Sequence, residues 1–277
     1  MRAPRFDAQA ESFDRRAGLP PAAVAAIATA VAAAAAPLVD GALLEIGAGT
    51  GQIGAALASL TAAHSMDYLG LDLSLSMCAR FRARLQTAPA TSERGLIAQA
   101  DADRPWPLAG RARIVFFSRA LHLLDAEHVL TEILACRHRA GCAVAVGRVR
   151  RDPNGVRGML RRQMRSLLAD RGITGKSGEQ AQTRWLAALA AHGGGTRAAR
   201  TVASWTTEVR PAQVIAAWRG KPGLAGESVP PHLQAEVLDC LQSRAEAELG
   251  DLSAPRSTVE SYELAVVDLP GPQAAGA

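Results

Sequence analysis

The chain is short of several things at once, and each shortage removes a class of protein. Only four of its 277 residues are cysteine, and Cys78, Cys136, Cys142 and Cys240 form no CxxC pair. The six histidines show no HxxxH or HExxH spacing, so neither a disulfide framework nor a metal site is indicated. No stretch of ~18 strongly apolar residues occurs, which argues against a membrane-spanning helix. The opening MRAPRFDAQAESFDRRAG has no apolar centre of the kind a signal peptide needs. A cytoplasmic, reducing setting is expected, with no metal and no membrane. Lysine is almost missing: of 31 basic residues, all but Lys176 and Lys221 are arginine. The net charge of +5 therefore reflects an arginine-rich surface, and charge that is not shown to cluster on one face disfavours a nucleic-acid partner.

What is present is a rhythm. Residues 20–36, PPAAVAAIATAVAAAAA, open on a proline pair and run as an alanine-rich helix that Pro37 stops. Apolar runs then alternate with helix-sized segments: GALLEIG (41–47), MDYLGLDL (66–73), GLIAQAD (95–101), ARIVFFS (112–118) and GCAVAVGRV (141–149). Five such runs predict a doubly wound α/β parallel sheet. After Val149 two long stretches of helical period, 153–192 and 211–249, flank a β-like run at 197–209, and a last strand is expected over 257–269. In the first stretch Val156, Leu160, Met164, Leu167 and Leu168 share a face, with Arg157, Arg161, Arg162 and Arg165 largely off it. The bland account of those arginines is a solvated helix face; the sharper one is a surface for an acidic substrate or a membrane. The expected organisation is a core over 1–149, a mostly helical cap over 150–256, a final core strand over 257–269 and a disordered tail over 270–277.

The densest chemistry lies in Leu43-Leu44-Glu45-Ile46-Gly47-Ala48-Gly49-Thr50-Gly51, where an apolar strand delivers three alternate glycines into a helix. Glycine there admits positive φ and lets backbone and ligand approach closely. Residues 49–54 also spell G-x-G-x-x-G, the dinucleotide pattern. Two features weigh against a nicotinamide cofactor. Glu45 would sit inside an overlong strand without a role, and acids end both of the next two strands, Asp72 and Asp101.

This segment resembles motif I of the class I methyltransferases that use S-adenosylmethionine (SAM), E/D-x-G-x-G-x-G. The resemblance covers 6–149 well and the 150–256 stretch loosely. It implies a Rossmann-like seven-stranded sheet in the order 3-2-1-4-5-7-6, the last strand antiparallel, with a helical cap inserted late. It implies SAM as cofactor, held by Glu45, Gly47, Ala48, Gly49, Gly51 and Gln52, with Asp72 at the ribose hydroxyls. Asp101 would contact the adenine amino group and the Ala102 N–H a ring nitrogen, with Leu73, Met77 and Ser118, the last in the loop beyond strand 4, as further cofactor residues. FDAQAESFDRR resembles the FDxxAxxYDxxR lid of the branch related to ubiquinone and menaquinone biosynthesis, which adds Phe13, in place of the usual Tyr, and Arg16. Arg119 and His122, in the loop where donor and acceptor meet, are the catalytic candidates, and Arg148, Trp205 and Trp218 are alternatives for placing the acceptor. A small-molecule acceptor is expected, with SRALH standing where amino-methylating nucleic-acid enzymes carry an NPPY-like motif. Protein or nucleic-acid methylation and non-catalytic SAM binding stay open, as does a homodimer.

Overall fold

The computed structural model describes residues 7, 10–35, 40–87, 95–174, 178–221 and 223–272. Among these, the chain forms α1 (Ala10–Ala17), α2 (Pro21–Ala32), β1 (Ala42–Ile46), α3 (Gly54–Ala63), β2 (Asp67–Asp72), α4 (Leu75–Thr87), β3 (Gly95–Gln99), β4 (Ala112–Ser118), α5 (Ala126–Cys136) and β5 (Cys142–Arg151). There follow α6 (Val156–Ala169), α7 (Gly178–Ala190), β6 (Gly195–Val209), α8 (Pro211–Arg219), α9 (Pro231–Leu249) and β7 (Arg256–Leu269). All strands join one sheet in the order β3-β2-β1-β4-β5-β7-β6, the order implied by the resemblance. The pairs β1·β2, β1·β4, β2·β3 and β4·β5 are parallel. β7 runs against β5: Arg148 pairs with Glu263 and Arg151 with Glu260, so one index rises as the other falls.

Local signals explain most boundaries. Pro21 sits at the first turn of α2, where its missing N–H costs nothing. Asp125 caps α5 by accepting the His128 backbone N–H. β1 is buried along its whole length, as expected of a parallel strand covered on both faces.

The chain divides into two units. The core unit comprises 1–149, 180–203 and 262–277, and the helical unit 150–179 and 204–261. The core unit buries Phe116 and Phe117 completely, each contributing about 2 to 3 kcal/mol of burial, and sets Trp185 edge-on to Phe117 at 5.5 Å. The helical unit packs α6, α8 and α9 around Leu160, Leu168, Val237, Leu238 and Leu241. Most of the stretch 178–190, expected in the cap, divides with the core, because Trp185 and Leu189 join the cluster around Phe117 and Val267. The helical period at 153–192 is broken where Gly172 turns at φ +75°. In the expected tail, 270–272 are irregular and 273–277 lie outside the described residues. No helix among the described residues is long and apolar enough to cross a membrane.

Candidate functional site

The C-terminal ends of β1, β2 and β4 lie side by side, and the segments leaving them build the site. The loop after β1 is pinned to β2 by Gly47 and Ala48, whose N–H groups both donate to the Leu71 carbonyl, at 2.8 and 3.0 Å. All three glycines take positive φ, between 59° and 74°. Their reasons differ. A Cβ on Gly47 would lie 2.5 Å from the Ala120 methyl, and one on Gly51 would lie 2.0 Å from the Phe81 ring. At Gly49 a Cβ would meet nothing within 4 Å, so the middle of the loop faces open space that a ligand can enter.

Asp72 ends β2 beside that space. Its Oδ2 accepts the Gly49 N–H at 2.8 Å and its Oδ1 the Ser74 N–H at 2.9 Å. Each carboxylate oxygen keeps a second acceptor direction for a ligand hydroxyl. Burial raises the Asp72 pKa, opposed by these two backbone bonds. Behind the loop, Glu45 is 2% exposed and accepts the Tyr68 hydroxyl at 2.5 Å. Burial, partly offset by that bond, pushes the Glu45 carboxyl up to about 8; burial, reinforced by the Glu45 charge and the same bond, holds the Tyr68 phenol well above its ordinary value. The glycine loop is thus backed by a carboxyl that is mostly neutral at pH 7.

The segment after β4 carries the other candidates. Ser118 Oγ lies 2.7 Å from the Tyr262 hydroxyl of β7. Arg119 holds φ +60°, a conformation rare for a side-chain-bearing residue and one that tends to mark functional loops. Its N–H donates to the Gly147 carbonyl at 3.1 Å and its guanidinium to the Ala17 carbonyl at 2.8 Å, and the group lies 5.6 Å from the centre of the Phe13 ring. Phe13 of α1 is thereby joined to the β4 loop. Gln52 is joined to the same region, accepting the Leu19 N–H at 3.2 Å. His122 lies in an exposed turn over Leu121–Leu123, where partial desolvation by its neighbours holds its imidazole below the ordinary value.

The remaining expected residues are more scattered. Met77 is buried in α4, its N–H donating to Ser74 Oγ. Leu73 offers its carbonyl to Gln99. Asp101 is exposed and accepts the Asp103 N–H at 3.0 Å, a turn-forming bond, while the Ala102 carbonyl accepts Trp106 Nε1–H. The Arg16 side chain lies outside the described residues. Among the described residues no three His, Cys, Asp or Glu side chains could hold a metal together.

Sequence reasoning passed over two acids that fasten the N-terminal segment to the site. Asp14 Oδ1 accepts the Thr50 hydroxyl of the glycine loop at 2.5 Å, and its other oxygen pairs with Arg84 at 2.6 Å. Asp7 accepts the Ser74 hydroxyl at 2.5 Å and the Ser76 N–H at 3.1 Å, bonds that lower its pKa. The available signal was their spacing of seven, which in a helix would be about two turns and would set both acids on one face.

A family model described as a methyltransferase domain matches residues 43–141, the stretch from β1 to the start of β5. This stretch of the chain matches a methyltransferase domain. The fold of that domain recurs in a protein of Bacillus halodurans C-125 described as a methyltransferase. It is 13% identical with a TM-score of 0.56, over 88% of this chain and 98% of that one. The YcgJ protein of Bacillus subtilis is 15% identical with a TM-score of 0.51, over 84% of this chain and 93% of that one. A comparison with curated proteins gives no match. The glycine loop, Asp72 and the β4 loop all fall within the matched methyltransferase domain.

Proposed function

We propose that the protein transfers a methyl group from SAM to a small-molecule acceptor. The observation that carries this reading is the pairing of Asp72 with an open glycine loop: two carboxylate oxygens with spare acceptor directions beside the unfilled space at Gly49. These residues fit SAM. Asp72 would accept from the two ribose hydroxyls, Gly47, Ala48, Gly49 and Gly51 would face the methionine portion, and Leu73, Met77, Asp101 and Ala102 would line the adenine. Phe13, held by Arg119, would cover the cofactor as a lid, in keeping with the ubiquinone and menaquinone branch that FDAQAESFDRR resembles. Bound SAM supplies an activated sulfonium methyl, so no covalent enzyme intermediate is required.

The chain's own residues then align the acceptor and move a proton. His122 is assigned the proton: a depressed pKa keeps its imidazole neutral at pH 7 and able to accept one from a hydroxyl or amine. Arg119 is assigned to positioning, since its guanidinium is spent on Ala17 and Phe13. The SRALH sequence after β4 supports a small acceptor over a flipped nucleobase.

Calorimetry with SAM, its demethylated product and NAD tests the reading. Both sulfur nucleosides are expected to bind and NAD is not. Asp72→Ala is expected to weaken SAM binding by about 1.5 to 3 kcal/mol, the range for bonds to a charged partner. Binding of NAD with no response to the demethylated product would overturn the assignment.

A further inference from the structure

The helix α6, VRGMLRRQMRSLLA, contains four arginines and no acid. Arg157, Arg161 and Arg165 recur every four residues and so form one stripe, successive members about 6 Å apart along the axis. Arg151, at the end of β5, belongs to the same group: Arg161 is held below its ordinary pKa first by desolvation and then by the charges of Arg151, Arg165 and Arg157. Like charges at this spacing destabilise a helix that has no other use for them.

Compensation is nearly absent. Glu260 pairs with Arg151 at 3.2 Å and is the one carboxylate whose charge supports Arg157. Among the described residues, Arg157, Arg161 and Arg165 form no ion pair and donate no hydrogen bond. Arg157 Nε is shut off from solvent with no acceptor. Several other arginines of the helical unit are partnered: Arg162 donates to the Pro153 carbonyl, Arg171 to Glu236 and Arg219 to Asp239. A shielded donor without an acceptor is costly, and an acceptor supplied by a ligand removes that cost.

We propose that Arg157, Arg161 and Arg165 of α6, with Arg151 beside them, form a binding site for a small phosphate- or diphosphate-bearing molecule. Guanidinium groups match phosphate oxygens with paired N–H donors, and a compact, multiply charged anion answers three uncompensated cations where a single carboxylate would leave most of them unpaired. A lipid surface fits less well. Membrane-binding helices set apolar side chains into the acyl boundary, whereas Leu160, Met164, Leu167 and Leu168 are buried within the helical unit. The proposal stands or falls independently of the cofactor reading.

Calorimetry of the full chain with sodium pyrophosphate, without any nucleoside, tests the proposal. Saturable binding is expected. Arg161→Gln should weaken it by about 10-fold or more, and the double variant Arg157→Gln, Arg161→Gln should lose it. Arg161→Lys, which keeps the charge without the fork, should retain the fold and weaken binding less. Arg200→Gln, an exposed arginine on β6 outside the group, should bind as the unaltered protein does. The proposal is overturned if pyrophosphate gives no saturable heat at millimolar concentration, or if Arg200→Gln weakens binding as much as Arg161→Gln. It is equally overturned if the chain sediments with phosphatidylglycerol vesicles while ignoring pyrophosphate, or if Arg161→Gln and Arg161→Lys both fold and bind unchanged.

Discussion

Around β1 to β5 the interior holds Phe116, Phe117, Trp106 and Tyr68 together with a fully buried carboxyl, Glu45, whereas behind α6, α8 and α9 it is leucine, valine, isoleucine and methionine. The ionisable groups of the second region lie outside its hydrophobic cluster, arginines and acids alike. In the core unit, positions that shape the proposed ligand space are the same positions that hold the interior together: Gly51 makes room for Phe81, and Glu45 stands behind the loop. In the helical unit, packing falls to the Leu160, Met164, Leu167 and Leu168 face of α6 and charge to the arginine stripe that adjoins it. A change in the core should therefore disturb stability and ligand binding together, and a change in the helical unit should separate them.

The strongest way to break this contrast is Gly51→Ala. Left-handed strain and collision with Phe81 should together cost about 4 kcal/mol, enough to lose SAM binding along with much of the fold. Chemical denaturation at 25 °C would read it, and a cost near 1 kcal/mol would mean that Phe81 yields easily. Next in size, His122→Gln should lower turnover by about 10²-fold while leaving SAM affinity and stability in place. A raised Michaelis constant with turnover preserved would make His122 an acceptor contact instead.

The buried carboxyl gives a signature the helical unit cannot imitate. Glu45 titrates at about 8 when folded against 4.5 when free, so the native state holds the extra proton, and stability falls as pH rises through that window. Its share of the loss between about pH 6 and pH 8 is on the order of 2 kcal/mol. Urea denaturation across that range should show a flatter profile for Glu45→Gln, and identical slopes in the two proteins would place the titration elsewhere. The smallest effect is expected at Gly172→Ala in the helical unit, where φ is +75° but a Cβ meets nothing within 4 Å: about 1 kcal/mol, with SAM binding untouched.

Sequence alone read the core strands to within about two residues, because buried parallel strands are written as unbroken apolar runs bounded by glycine or acid. The glycine turn at Gly47, Gly49 and Gly51 and the acid that ends β2 were equally legible, since a turn bonded to a nearby acid, as Gly49 is to Asp72, is a local pattern. The partner of Glu45 was not. Tyr68 lies on the neighbouring strand, diagonally across a register that pairs Glu45 with Gly70, and nothing in one strand announces its neighbour's side chains. Ser118 and Tyr262 meet across 144 positions for the same reason. The helical period at 153–192 ran on unbroken through Gly172, and periodicity cannot tell which of two hydrophobic clusters a helix will join; Trp185 and Leu189 settled that by packing on Phe117.

The placing of β7 between β5 and β6 also constrains the order of assembly. On the ribosome, β1 to β5 can pair as they emerge, each beside a strand already made. β6 cannot, because among the described residues its neighbour in the sheet is β7 alone, and everything from Arg210 to Arg256 must be synthesised first. For that interval a long strand, TRAARTVASWTTEV, waits with its backbone donors and acceptors unclaimed, the condition under which nascent chains pair with the wrong partner. Arg197 and Arg200 fall within this strand, where charge discourages such pairing, and Arg197 acquires its native partner, Asp268, only when β7 arrives.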